Sequence, residues 1–102
     1  MLRDFRQALD HLRTRRGMYI ADGFDTLVAF LVGYSEATKR SVGMDLMGAL
    51  QEYTKEVYGK EFAVIWPYYL LNEEAAGDEQ EGTRLVFSTV DGFASKTGQE
   101  NL

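Results

Sequence analysis

Apolar residues recur along this chain at helical intervals. Leu2, Phe5, Leu9 and Leu12 are spaced i, i+3, i+7 and i+10, which predicts an amphipathic helix over about 2–16. Arg13, Arg15 and Arg16 crowd its end, where cations suit the negative pole, and Gly17 is a natural cap. A second helix is predicted from about Phe24 to Arg40, with Asp22 as its cap and Asp25 in its first turn. Phe24, Leu27, Val28, Leu31, Tyr34 and Ser35 share one face, and Ala29, Phe30 and Val32 make the rest nearly as apolar. Such a helix is normally the central, buried one. A third helix is predicted over about 44–58, with Leu46, Met47, Leu50, Tyr53, Thr54 and Val57 on one face and Gly59 at its end.

The last forty residues admit two readings. FAVIW (62–66) and RLVFSTV (84–90) are rich in β-branched or aromatic residues and would make a short hairpin in an α+β fold. In the helical reading, Pro67 takes the first position of a short helix through Leu71. Thr83 to Thr97 then form a terminal helix buried through Val86, Val90 and Phe93, with Asp78 and Glu81 spaced as a capping box. The helical reading is preferred: a mostly α single domain over 1–102, a bundle of about five helices. EEAAGDEQEG (73–82) reads as the one clear loop.

Composition narrows the function classes. A chain of 102 residues with 45% hydrophobic and 13% aromatic residues supports one core. Without cysteine there is no disulfide framework and no thiolate zinc site. No apolar run reaches the roughly 18 residues of a membrane span. The N-terminus has no apolar core of the kind a signal peptide needs, so a cytoplasmic protein is expected. The net charge of -5 is uneven: residues 1–40 carry seven Lys/Arg against five Asp/Glu, residues 41–102 four against eleven. So acidic a body is a poor nucleic-acid binder and suits a basic protein partner.

The catalytic inventory is thin. His11 stands opposite the apolar stripe of its helix with no serine or cysteine nearby to activate, and reads as a solvated surface histidine. HExxH, EF-hand, GxGxxG and P-loop patterns are all missing, so no enzyme activity, metal or cofactor is expected. Glu73, Glu74, Asp78, Glu79 and Glu81 cluster in the small-residue stretch. They read either as a solvated loop or as a contact surface for a cationic partner. Tyr68 and Tyr69 read either as core or as interface anchors beside them.

Two resemblances bear on the chain. RRGMYIADGF (16–25) resembles the start of the type II topoisomerase ATPase domain, where the pattern runs Arg-Pro-Gly-Met-Tyr-Ile-Gly. Arg16 replaces that proline and Ala21 that glycine, and the family's magnesium-holding asparagine, Asp-x-Gly-x-Gly loop and glycine-rich lid are missing. ATP binding is therefore not expected. The second resemblance spans most of residues 5–95. LRTRRGMYI, FDTLVAFLVGYSEA and IWPYYLL, followed by an acidic loop and a final apolar helix, look like the small immunity proteins of polymorphic and contact-dependent growth-inhibition systems. That resemblance implies a protein that binds and neutralises a cognate toxin by occluding its active site. A nuclease suits an acidic inhibitor, because its groove is cationic. Read as structure, Gly17 caps a helix, Met18, Tyr19 and Ile20 cross the core, Tyr34 packs inward and Gly33 admits a neighbouring helix. The alternative function is a small-ligand or regulatory module with a pocket between the helices at 24–40 and 44–58.

Overall fold

The computed structural model describes residues 7, 23–43 and 45–97. Of the helix predicted over 2–16 only Gln7 is described, as helical and exposed; the rest of it, the turn at 17–20, His11 and the cap at Asp22 lie outside the described residues. Among the described residues three long helices dominate: α1 (Phe24–Val42), α2 (Leu46–Tyr58) and α4 (Glu79–Thr97). Between α2 and α4 the chain makes one α-helical turn, α3 (Trp66–Tyr69), which widens into a π-helical segment (Leu70–Glu74). The described residues are thus mostly helical and contain no strand.

Local chemistry accounts for most helix ends. Asp45 accepts from the Gly48 amide at 3.0 Å and starts α2. Gly43 and Gly59 end α1 and α2 in the left-handed conformation, at φ 77° and 63°, where a Cβ would be strained. Lys39 and Arg40 lie in the last turn of α1, at its negative pole. Pro67 sits in the first turn of α3, where its missing N–H costs nothing.

The core is continuous. Phe24, Leu27, Val28 and Leu31 of α1 join Leu46 and Leu50 of α2, Trp66, Tyr69 and Leu70, and Val86, Phe87, Val90 and Ala94 of α4. Helix α4 touches α1, α2 and the π segment, so it is the element that the others share. The expectation that the helix near 24–40 is buried all round is corrected: Ala29 is exposed and Val32 is 40% exposed. On α2 the stripe holds at Leu46, Leu50 and Thr54, but Val57 turns outward and is 54% exposed. Ser35 of α1 accepts from the Met47 amide at 3.1 Å and closes the α1–α2 contact.

Small residues set the approach of α4 to its neighbours. A Cβ at Gly82 would stand 3.0 Å from Leu71 Cδ1, 3.2 Å from Phe24 Cε1 and 3.4 Å from the Leu71 Cα. One at Gly92 would meet the Tyr53 hydroxyl at 2.6 Å. Gly33, expected to admit a helix, has nothing described within 4 Å of that position. The β-branched run at 84–90 lies inside α4, where Val86 and Val90 face the core. Residues 60–65 are irregular, so the hairpin alternative is not the fold. No helix among the described residues is long and apolar enough to cross a membrane.

Candidate functional site

The stretch read as a loop, 73–82, is largely ordered by helices. Glu73 and Glu74 belong to the π segment, and α4 begins at Glu79, four residues before the expected Thr83. Only a tight turn separates them. The Ala75 amide donates to the Leu70 carbonyl at 2.8 Å and the Gly77 amide to the Leu71 carbonyl at 2.7 Å, while Ala76 takes a φ of 52°. A non-glycine residue in that region stores strain of about 1 kcal/mol or more. Here the two flanking bonds hold it in place.

The five acidic residues differ in what they do. Asp78 accepts on Oδ1 from the amides of Gln80 (3.0 Å) and Glu81 (3.3 Å), so it is the cap of α4. Glu79 reaches across the fold and accepts from the Phe24 amide at 3.0 Å. Gly23 has no side chain to cap α1, and a carboxylate 55 residues away supplies the acceptor. Glu74 accepts from the Tyr69 hydroxyl and lies 3.8 Å from the Lys60 ammonium. Glu81 holds Arg84 in a bidentate pair, Nε to Oε1 at 2.8 Å and Nη2 to Oε2 at 2.6 Å. That guanidinium keeps the Glu81 carboxyl below the usual carboxylate range. Glu73 is exposed.

The two tyrosines part company. Tyr68 is half-buried on α3, with its ring 5.8 Å from that of Phe24 and its hydroxyl donating to Asp25 of α1. The bond to Asp25, and then burial, raise its pKa. Tyr69 is 2% exposed. Its ring stacks on Phe62 at 4.0 Å and meets the edge of Tyr58 at 5.8 Å. Burial, with the hydrogen bond to Glu74, pushes its pKa up to about 12. Tyr69 thus follows the core reading, and only Tyr68 keeps an accessible edge for a partner.

Together these residues form one acidic end of the molecule, where α1 begins, the π segment finishes and α4 starts. Asp25, Glu73, Glu74, Asp78, Glu79 and Glu81 meet there, with Lys60 and Arg84 paired to two of them. Sequence reasoning missed Asp25 and Arg84. The i, i+3 spacing of Glu81 and Arg84 was a readable signal; the approach of Asp25 to Tyr68 had none.

Two concavities have described linings. One runs along α4 from Asp78 to Asp91 and is about 700 Å³. The other, about 400 Å³, lies at the end of α2 around Lys55 and Glu61. Neither lies between α1 and α2, where the small-ligand alternative expected a pocket. Among the described residues no cluster of three or more His, Asp or Glu has the arrangement of a metal site. Comparison of the chain with protein families, with curated proteins and with solved structures found no match, so geometry alone carries the functional argument.

Proposed function

We propose that this protein binds and neutralises a cognate bacterial toxin domain by covering its active site, and that it does so without catalysing a reaction. The observation that supports the reading is the acidic end. Among the described residues six carboxylates and two cations gather there, on backbone held by helix caps rather than on a loose loop. A toxin that cleaves nucleic acid needs a cationic groove to hold phosphates, and an acidic inhibitor gains steering and complementarity against it. Rigid presentation adds to this, because less ordering entropy is lost on binding.

Glu73 and Glu81 are the charges to vary, because neither caps a helix. The partner to try is a bacterial nuclease toxin domain with a cationic groove, sought first in the products of neighbouring genes. For Glu73→Gln with Glu81→Gln, stopped-flow association should slow by about three- to tenfold at low salt, and by less at high salt where screening has removed the steering. Thermal stability should stay close to that of the parent. Rates equal to the parent at every ionic strength would remove the acidic end from the interface.

A further inference from the structure

Helix α1 carries apolar residues on a side that the fold does not bury. Asp25, Ala29, Val32, Gly33, Glu36 and Arg40 follow that outer side for about 23 Å, and all six are exposed. A surface helix normally keeps its solvent side polar. Here Val32 is 40% exposed, and Gly33 stands in the helix interior, where glycine is disfavoured against alanine. Packing within the chain gives no reason for that glycine: among the described residues nothing lies within 4 Å of where its Cβ would be. The charges on this side are uncommitted as well. Glu36 and Arg40 are spaced i, i+4, yet among the described residues neither forms an ion pair. Asp25 accepts from the Tyr68 hydroxyl through Oδ1.

We propose that this face pairs with the same face of a second copy of the chain, α1 against α1 and antiparallel, about a twofold axis between Val32 and Gly33. The inference is independent of the toxin reading and touches the acidic end only at Asp25. Contacts in a twofold pair are reciprocal. An axis at that point sets position 25 opposite 40, 29 opposite 36 and 32 opposite 33 of the other copy. Each of these couples fits. Val32 is a knob and Gly33 the hole that receives it, twice over. Asp25, through its second oxygen, meets the Arg40 guanidinium of the other copy, also twice. Ala29 is small enough to leave the opposing Glu36 a path to water.

Charge also fixes the direction. A parallel pair would set Asp25 on Asp25, Glu36 on Glu36 and Arg40 on Arg40, like charge against like. Only the antiparallel pair puts the acidic start of one helix beside the basic end of the other. A partner of unrelated sequence would call for neither this reversal of charge along one helix nor a valine next to a vacant glycine at its centre. The contact is one helix pair, smaller than a standard protein–protein interface, so the association is weak and concentration decides it.

The test is sedimentation equilibrium of the full chain across a concentration series. The average mass should rise from one chain toward two between about 10 μM and about 1 mM. Gly33→Gln should weaken association by about tenfold or more while the melting temperature stays at or above the parent's, because glutamine is the better helix former. Arg40→Glu turns two attractions into two repulsions, so its association should strengthen with salt while the parent's weakens. The chain has no cysteine, so single thiols report on register without background. A mixture of Ala29→Cys and Glu36→Cys chains should oxidise to a mixed dimer faster than either chain alone. Positions 29 and 36 face each other across the pair, whereas like positions lie about 10 Å apart along the axis, beyond disulfide reach. Equal rates for the mixture and for Ala29→Cys alone would overturn the antiparallel register. A chain that is monomeric at about 1 mM sinks the pair. In such a monomer, slow alkylation of the Ala29→Cys thiol would assign the face to another part of the same chain, and fast alkylation would leave it to a partner of different sequence. A dimer indifferent to both Gly33→Gln and Arg40→Glu would place the interface elsewhere and equally defeat the proposal.

Discussion

Two short stretches of this protein invert what their compositions suggest. Residues 62–66, FAVIW, look like a piece of core, whereas 73–81 look like a solvated loop. In the fold, Val64 is 50% and Ile65 42% exposed, and the backbone there is irregular. A single side chain serves it: Gln51 of α2 donates to the Val64 carbonyl at 2.9 Å and accepts from the Trp66 amide at 2.7 Å. The acidic stretch is instead tied to α1, α3 and α4 by carboxylates that accept from amides and hydroxyls. Hydrophobicity shows which side chains prefer to leave water. It does not show which side chains satisfy the backbone, and here polar groups do that at both places.

The largest expected effect tests the one residue of the apolar stretch that is fully inside. Trp66 is completely buried, so Trp66→Ala should destabilise by about 3–5 kcal/mol in denaturant unfolding. Its Nε1 has no hydrogen-bond partner in the structure, so Trp66→Phe should cost far less than alanine. A large loss in the phenylalanine variant would show that the indole N–H is satisfied in solution.

Next comes the glutamine brace. Gln51→Ala removes two bonds and leaves the Val64 carbonyl and Trp66 amide to find new partners. It should cost about 1–3 kcal/mol. Replacing exposed Val64 by serine should stay within about 0.5 kcal/mol. If the serine variant lost more than Gln51→Ala, the apolar side chain and not the glutamine would hold this segment.

The acidic stretch should split internally. Glu79→Ala and Asp78→Ala each remove a helix cap and should cost about 1 kcal/mol. Glu73→Gln, at an exposed position without a cap to lose, should stay within about 0.5 kcal/mol. Urea midpoints measured side by side are sufficient. Equal midpoints for all three would return the stretch to the solvated loop that its composition suggests.

The smallest effect is silent at neutral pH. The Tyr69 hydroxyl titrates near 10 when unfolded and at about 12 in the fold, because burial and the bond to Glu74 favour its protonated form. Its contribution to stability is complete below about pH 10 and is lost as pH rises toward 12. Melting temperature should therefore fall more steeply with pH over that window in the parent than in Tyr69→Phe. Parallel curves would mean that neither burial nor the bond to Glu74 raises the pKa of this hydroxyl in the fold.

Much of the helical framework was legible. Gly59 and Pro67 were read as local signals, Asp45 and Gly43 are caps that reading passed over, and α1 and α2 begin and end within about two residues of the predicted bounds. The start of α4 was read late because Gly82 resembles a loop residue. Its lack of a side chain instead admits Leu71 and Phe24. The π segment carried no pattern to read, since the widened turn is defined by the Ala75-to-Leu70 bond and followed by the strained Ala76. Of the residues expected to meet a partner, the carboxylates were found together, but their separate tasks were not visible.

What the sequence by itself determined are features settled within a few residues: helix periodicity, caps, the acidic balance of the second half and the stripe that enters the core. Tertiary structure decided whether each polar group is a contact or a brace. Glu79 became a helix cap because folding brings it to Phe24, 55 positions away, and Tyr68 meets Asp25 across 43. A hydrogen bond depends on distances of a few ångströms and on donor direction, neither of which is encoded in local spacing. The same residue types, in the same order, would read identically whether those bonds formed or not.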